Sequence, residues 1–491
     1  MFKNLNIRNN INYYLFNFFL RKNFFKNYSE NISRKFINQL SSEKYDENFF
    51  NGLQNNFIEI QNFYSEVNSL AGWVPYFRKR TKIYLYNFLS INYSIRKPLI
   101  ARLTLVKNQN HYLQKSFIIP INYHGELDVD KIFKTDDNFN SIIVEIFSPH
   151  IKKNHGGHDG HLRFFGKYYS TTDELNCVVH SMPITKMSSI TSKNSKNGRT
   201  YLIKEFKENK FYNCYPCGKK VLENIDLTNY GYTVVLSPKD EILSVYHQSM
   251  LPTYKLDEKY SASYIPNRKY ESLDPYIYID EFENNFHLKN LNFFIIKNNK
   301  IIEKKTLNIE KGSLLMRESE IFGKKISGDH LLCLSIKSYG NGFFHTHYLG
   351  SNGQLSDQVH SNVINWTTNN EIIFPIETTE KRSNCRKFCT FELKDGSENF
   401  AILFLNKIYK NSSKEIIIRL FINNKEYVDT LNITTNEPMF ILDINKIVFK
   451  YSGKNQGKGI FQIESYENNY PAVYFHKNMS GNICTDHFTG G

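Results

Sequence analysis

Three histidines carry the most promising chemistry in this chain: His345 and His347, one residue apart, and His360. They lie in the stretch 342–361, where two apolar and aromatic runs flank Asn352-Gly353. Asn-Gly reads as a β-hairpin turn, because both central residues of a type I′ turn need positive φ. With those two residues as the loop, Ser351 pairs with Gln354 and His345 faces His360. Side chains alternate with period two, so His347 shares that face. Opposed Cβ atoms then lie about 5 Å apart and diagonal ones about 7–8 Å. Three nitrogen ligands and an open position are what catalytic zinc uses, and they bring the pKa of its bound water to about 7. Iron is the other metal such a set suits. The same register sets Asp357 opposite Tyr348, on the other face.

His-x-His on a strand, with a third ligand elsewhere, resembles the sites of cupin oxygenases and dioxygenases and of α-type carbonic anhydrases. The resemblance ends at this tripeptide and its neighbour. Ser351, Asn352 and Gly353 stand where a cupin has its acidic ligand.

Two further groups have metal-compatible side chains. His155, His158 and His161, with Asp159, sit in a glycine-rich loop that could wrap a ligand or simply be solvated. Cys214 and Cys217 form a Cys-x-x-Cys followed by Gly218, half of a structural zinc knuckle, and Cys385 with Cys389 would have to supply the other half. Several motifs are absent. Gly453–Gly459 is too short for a phosphate loop and lacks a Ser or Thr after its Lys, and there is no nucleophile elbow, His-Glu-x-x-His or dinucleotide fingerprint.

The elements that must position these residues read as strands. From Trp73-Val74-Pro75 onward, short runs of Ile, Val, Phe, Tyr and Leu alternate with Asn, Gly and Asp turns. The basic run Arg78–Lys82, followed by Tyr84, Tyr86 and Phe88, reads as the entry to a strand before it reads as a nucleic-acid patch. One grammar recurs. Hairpins fill Pro98–Pro120, Leu291–Ile309 and Ile416–Ile433. Acidic-apolar segments follow at Leu127–Phe133 and Ile441–Phe449, with a weaker one at Arg317–Phe322. Each unit closes on a strand with His near its end: His180, His247, His360 and His487. A residue repeated with the fold more often serves the fold than a catalytic site. A last hairpin turning on Ser480-Gly481 sets Tyr474 opposite His487.

The expected architecture is therefore all-β: tandem antiparallel β-sandwich-like repeats of about seven strands, preceded by a helical N-terminal segment. The expected boundaries are 1–75 for that segment, then 76–185, 186–255 (a short repeat), 256–365 and 366–491. Leu53, Phe57, Ile60, Tyr64 and Val67 step by four and three, as one stripe of a helix.

Composition bounds the rest. The chain has 491 residues, 41% hydrophobic and 15% aromatic, which suits globular packing. Joint over-use of Asn, Lys, Ile, Phe and Tyr points to an A/T-rich genome, so the net charge of +14 is weak support for a nucleic-acid partner. Seven cysteines, an odd and sparse number, suit a reducing, cytoplasmic setting. The apolar run Ile11–Leu20 is too short for a transmembrane span and lacks a cleavage site. Two functions compete. The first is a non-enzymatic binding or scaffolding protein that presents loops and aromatic faces to a glycan, glycoconjugate or protein partner. The second is a zinc or iron enzyme built on His345, His347 and His360.

Overall fold

The computed structural model describes residues 69–108, 111–148, 151, 164–183, 205–215, 218–221, 232–247, 259–266, 274–281, 290–308, 313–336, 342–349, 355–360, 362–364, 366–369, 371–375, 385–405, 415–423, 425–433, 437–465 and 470–489. It is all-β among these residues, with antiparallel sheets and a few short helices.

The first set of strands is β1 (Ser69–Pro75), β2 (Thr81–Tyr86), α1 (Phe88–Asn92), β3 (Leu99–Asn108), β4 (His111–Ile119), β5 (His124–Asp128), α2 (Val129–Phe133), β6 (Ser141–Phe147), β7 (Phe165–Tyr169) and β8 (Leu175–His180), followed by the two-residue β9 (Met182–Pro183). A short set holds β10 (Lys210–Tyr215), β11 (Gly218–Val221), β12 (Tyr232–Leu236) and β13 (Ile242–His247). Next come β14 (Lys259–Ile265), β15 (Tyr276–Glu281), β16 (Asn290–Lys297), β17 (Lys300–Asn308), β18 (Ser313–Arg317), α3 (Glu318–Phe322), β19 (His330–Ile336), β20 (Gly342–Leu349) and β21 (Leu355–His360), then β22 (Asn362–Ile364), β23 (Trp366–Asn369) and β24 (Ile372–Pro375). The last set is β25 (Cys385–Leu393), β26 (Glu398–Phe404), β27 (Glu415–Ile422), β28 (Lys425–Asn432), β29 (Met439–Asp443), α4 (Ile444–Ser452), β30 (Gly457–Ser465), β31 (Ala472–Lys477) and β32 (Ile483–His487).

The three long sets share one strand order. Numbering eight strands within each set, one sheet runs 4-3-6-1 and the other 5-2-7-8. The expectation of about seven strands is thus corrected to eight, and in the first set the added strand lies before the expected start at 76. Ser69–Pro75, expected at the end of a helical segment, is that strand: it pairs with β6 along its whole length, with Trp73 buried. The rest of the expected N-terminal helix, 1–68, lies outside the described residues.

Each acidic-apolar segment becomes a strand running into a short helix, where the sequence suggested no helix. The reason is capping. Asp128 accepts Lys131 N at 3.2 Å and Asp443 accepts Lys446 N at 3.0 Å, satisfying first-turn donors. Each of these helices then ends in a left-handed residue: Lys134, Gly323 and Gly453, at φ 51°, 71° and 66°. In the last set, one core takes Phe391, Leu420 and Phe461 from one sheet and Ala401, Leu442 and Tyr474 from the other. The chain divides into two compact units: unit 1 (Met1–Lys167, Val179–Ile190 and Cys214–Lys220) and unit 2 (Tyr168–Val178, Thr191–Asn213 and Val221–Gly491).

Candidate functional site: a histidine face in unit 2

Sheet β18-β15-β20-β21 carries the three histidines. The ladder pairs His345 with His360, as the sequence implies, and His347 with Gln358. On its other side β20 meets β15, so His345 pairs with Tyr278 and His347 with Tyr276. β18 completes the rows with Leu315 beside Tyr278 and Arg317 beside Tyr276. Two adjacent rows thus read Leu315-Tyr278-His345-His360 and Arg317-Tyr276-His347-Gln358. The residues between them, Ile277 and Ile279, belong to a large apolar core on the opposite side of the sheet.

The expected loop is corrected. Leu349 pairs with Leu355, which a two-residue Asn352-Gly353 loop does not allow, and a register shift lies between His347 and Leu349. The irregularity restores the pairing that the short loop would have given, so the histidines still meet. Two residues of β21, Ser356 and Asp357, face the single Tyr348 there, as in a β-bulge.

Tyr276 anchors a polar pair on this sheet. Its Oη accepts from Arg317 Nε at 2.8 Å and donates to Glu205. The guanidinium carbon of Arg317 is 5.0 Å from the tyrosine ring centre. Burial, then the bond to Glu205, pushes the Tyr276 phenol up to about 12. The bond to Tyr276 raises Arg317 further. Near neutral pH the pair is a neutral phenol against a fixed cation. Tyr276, Leu349 and Leu355 join Phe211, Val235, Leu243 and Tyr246 in one apolar cluster. The histidine-bearing sheet therefore packs against β10, β12 and β13 of the short set. The register thus sets three histidine positions in the two rows that hold Tyr276 and Arg317, and imidazole is a ligand type for borderline metals.

A second polar centre in unit 2 escaped sequence reasoning. Asp357, 1% exposed, accepts from Ser244 Oγ at 2.7 Å and from Thr485 N at 3.0 Å. The Cys177 thiol lies 3.6 Å from the same carboxylate. Burial first, then Asp357, pushes that thiol well above its ordinary value. Neighbouring bonds extend the centre. Asn176 Nδ2 donates to Ile242 O at 3.0 Å, Ser356 Oγ to Ile483 O at 2.8 Å, and Asn478 Nδ2 to Leu175 O at 3.2 Å. Strands β8, β13, β21 and β32, with the turn that leads into β32, are thus tied together. Cys177, Ser244, Asp357 and Cys484 each stand three residues before the His of their strand, and all four are buried.

The repeated histidines share one topological place. His180, His247, His360 and His487 are the last residues of β8, β13, β21 and β32. In all three long sets the chain then crosses to the first strand of the same set. Met182 pairs with Trp73, Asn362 with Ala262, and Thr489 with Phe388. One register is corrected: β31 pairs Val473 with His487 and Tyr474 with Asp486. The loop there is Met479-Ser480-Gly481, one residue longer than expected. Gly481 adopts φ 82°, and Asn478 accepts Asn482 N at 2.9 Å.

Other expected ligands separate from these. His155, His158 and His161 lie outside the described residues, as does Cys217. Cys214 is buried in β10. Cys389 is buried inside the apolar core of the last set. Tyr276 and Tyr278, missed at first, had a signal: a Tyr-x-Tyr with the period of His-x-His.

No protein-family model matches the chain, and no curated protein matches it. A glycosyl hydrolase family 2 member from Bacteroides cellulosilyticus DSM 14838 aligns over 50% of this chain and 32% of its own, at 8% identity and TM-score 0.13. The M60 catalytic domain with the CBM51-1 and CBM51-2 domains from Clostridium perfringens ZmpB aligns over 67% of this chain and 53% of its own, at 8% identity and TM-score 0.12. The chain spans about a third and about half of those two chains. Likenesses this slight carry no argument about its fold or activity. No helix among the described residues is long and apolar enough to cross a membrane.

Proposed function

We propose that this chain is a non-enzymatic binding scaffold built of tandem β-sandwich repeats, with boundaries near 76–185, 186–255, 256–365 and 366–491 and the first repeat extended back to Ser69. The carrying observation is the Asp357 centre. This fully buried carboxylate accepts from the Ser244 hydroxyl and the Thr485 N–H and so bonds closing strands to one another, as the core of a scaffold would. Fixed repeats hold their loops at set spacings, which suits a glycan or protein partner that spans more than one loop. The test is a panel of immobilised glycans and glycoproteins probed with the full chain, before and after chelation. The reading expects binding without turnover that survives chelation. Turnover of a bound glycan, lost on chelation, contradicts it.

The direct pairing of His345 with His360 favours a second reading, a zinc or iron enzyme using His345, His347 and His360. Elemental mass spectrometry of untagged protein beside the His345→Ala/His360→Ala variant tests it. That reading expects about one metal per chain, lost in the variant.

A further inference from the structure

In each long set the fourth strand is the outermost of the 4-3-6-1 sheet: β4, β17 and β28. In the third set another strand takes that edge. β24 pairs Ile372 with Lys300, and Ile301 N donates to Glu371 O at 2.7 Å. Among the described residues, no strand pairs with the outer edge of β28. This edge is also regular. The β3–β4 and β16–β17 ladders each carry a register shift, whereas β27 and β28 pair without a break from Glu415 and Asn432 to Ile422 and Lys425. A bulge is one of the devices that spoil an edge for further pairing, and the β27–β28 hairpin does without it.

The hairpin fixes which residues of β28 face outward. Ile422 and Lys425 flank the loop Asn423-Asn424, and Asn423 takes φ 52°. The pair flanking a two-residue loop exchanges both backbone bonds, and the pairs then alternate. Lys425, Tyr427, Asp429 and Leu431 therefore direct N–H and C=O to β27. Glu426, Val428, Thr430 and Asn432 aim theirs outward, and all four are exposed. Thr430 N accordingly bonds the Asp429 side chain, at 2.9 Å. Val428, at the centre, is 51% exposed. A β-branched apolar residue there suits pairing, where lysine or proline would guard the edge. Phe449 of α4, 54% exposed, adds apolar surface close by. Its neighbours Lys450 and Tyr451 reach Asp429 at 2.9 Å and the Tyr427 ring at 5.7 Å.

We propose that β28 pairs antiparallel with β28 of a second copy of this chain, about a twofold axis at Val428. The strand is its own complement in that register. Val428 faces its counterpart, Glu426 faces Thr430, Tyr427 faces Asp429 and Lys425 faces Leu431. Lys425 also stands diagonal to Asp429 across the axis, within reach of a long side chain. The outward residues pair with outward residues, so their backbone groups bond one another. An axis at Asp429 would set two carboxylates directly opposite, which is destabilising. An axis at Tyr427 would shorten the paired stretch from 425–431 to 425–429. The result is one sheet continuous across two copies. This pairing does not rest on the scaffold reading, and it doubles the loops that a repetitive ligand meets.

The test uses the full chain without a tag. Sedimentation velocity over a dilution series, up to about 0.1 mM, reads the monomer–dimer equilibrium. Three variants are compared with the wild type: Val428→Pro, Thr430→Glu and Thr430→Lys. Val428→Pro removes an outward N–H and no bond to β27, so it opposes pairing and spares the hairpin. The proposal expects a dimer in the wild type and one about tenfold weaker, or more, in Val428→Pro. Thr430→Glu sets a second carboxylate opposite Glu426 on both sides of the axis and weakens the dimer. Thr430→Lys sets an ammonium there and tightens it. Thermal melts check that each variant is folded, and if Val428→Pro is not, the two Thr430 variants decide. A wild type that stays monomeric across the series overturns the proposal. So does a dimer that folded Val428→Pro leaves at full strength, or one that responds equally to both Thr430 changes.

Discussion

At the scale of single residues, buried polar groups here are held by partners from distant strands, and their protonation should be visible in stability. In unit 1, His124 bonds Tyr84 Oη through Nδ1 at 2.9 Å, and burial lowers its pKa from 6.5 to about 4. Between those values the unfolded chain binds a proton that the folded chain refuses, so stability falls as pH drops through the window and is unaffected above it. The loss reaches about 3 kcal/mol at most. Urea melts of wild type and His124→Gln across the window check this: the variant should show the shallower pH dependence, and identical slopes would remove His124 as the cause. Asp357→Ala leaves the Ser244 hydroxyl and Thr485 N–H without their buried acceptor. It should cost about 2–4 kcal/mol, measured by urea unfolding. The sequence made the histidine pairing legible because turn residues and period two both act locally. It hid Asp357, because its partners Cys177, Ser244 and Thr485 come from three other strands. Nothing in a single hairpin tells which face of it will meet another.

At the scale of elements, the three closing hairpins whose turns are described repeat one turn. Ser237 N donates to Glu241 O, Asp240 N donates back to Ser237 O, and Asp240 takes φ 60°. Ser170, Asp173 and Glu174 repeat this, with Asp173 at φ 58°, and Asn478, Gly481 and Asn482 do so with glycine. These are three-residue loops ending in a left-handed residue. Gly481→Ala should therefore cost about 1 kcal/mol, while Asp240→Gly changes stability by less than about half of that, because aspartate already tolerates the conformation. Thermal melts of the two variants check the contrast, and equal effects would argue against a shared turn. The register errors have the same origin. Ser480-Gly481 and Asn352-Gly353 each look like complete two-residue loops, yet the strands continue past them at a different count. The short helices were hidden for a related reason: at five to nine residues they show little periodicity, and Asp128 and Asp443 announce them only as caps.

At the scale of the whole molecule, the order of hairpin, acidic-apolar joint and closing strand in the three long sets was legible in the sequence because each step is written locally. The added strand of the first set was not, since its partner β6 follows about seventy residues later and its own pattern, Ser-Leu-Ala-Gly-Trp-Val-Pro, is weakly alternating. The scaffold reading makes one claim that a single measurement reaches: the closing strands of unit 2 stand or fall together because Asp357 ties them. Native-state hydrogen exchange with mass spectrometry, comparing wild type with Asp357→Ala, tests it. The account predicts slow exchange in 175–178, β13, β21 and β32 of the wild type, and accelerated exchange in all four segments of the variant. Acceleration confined to β21, with β13 and β32 unchanged, would contradict it.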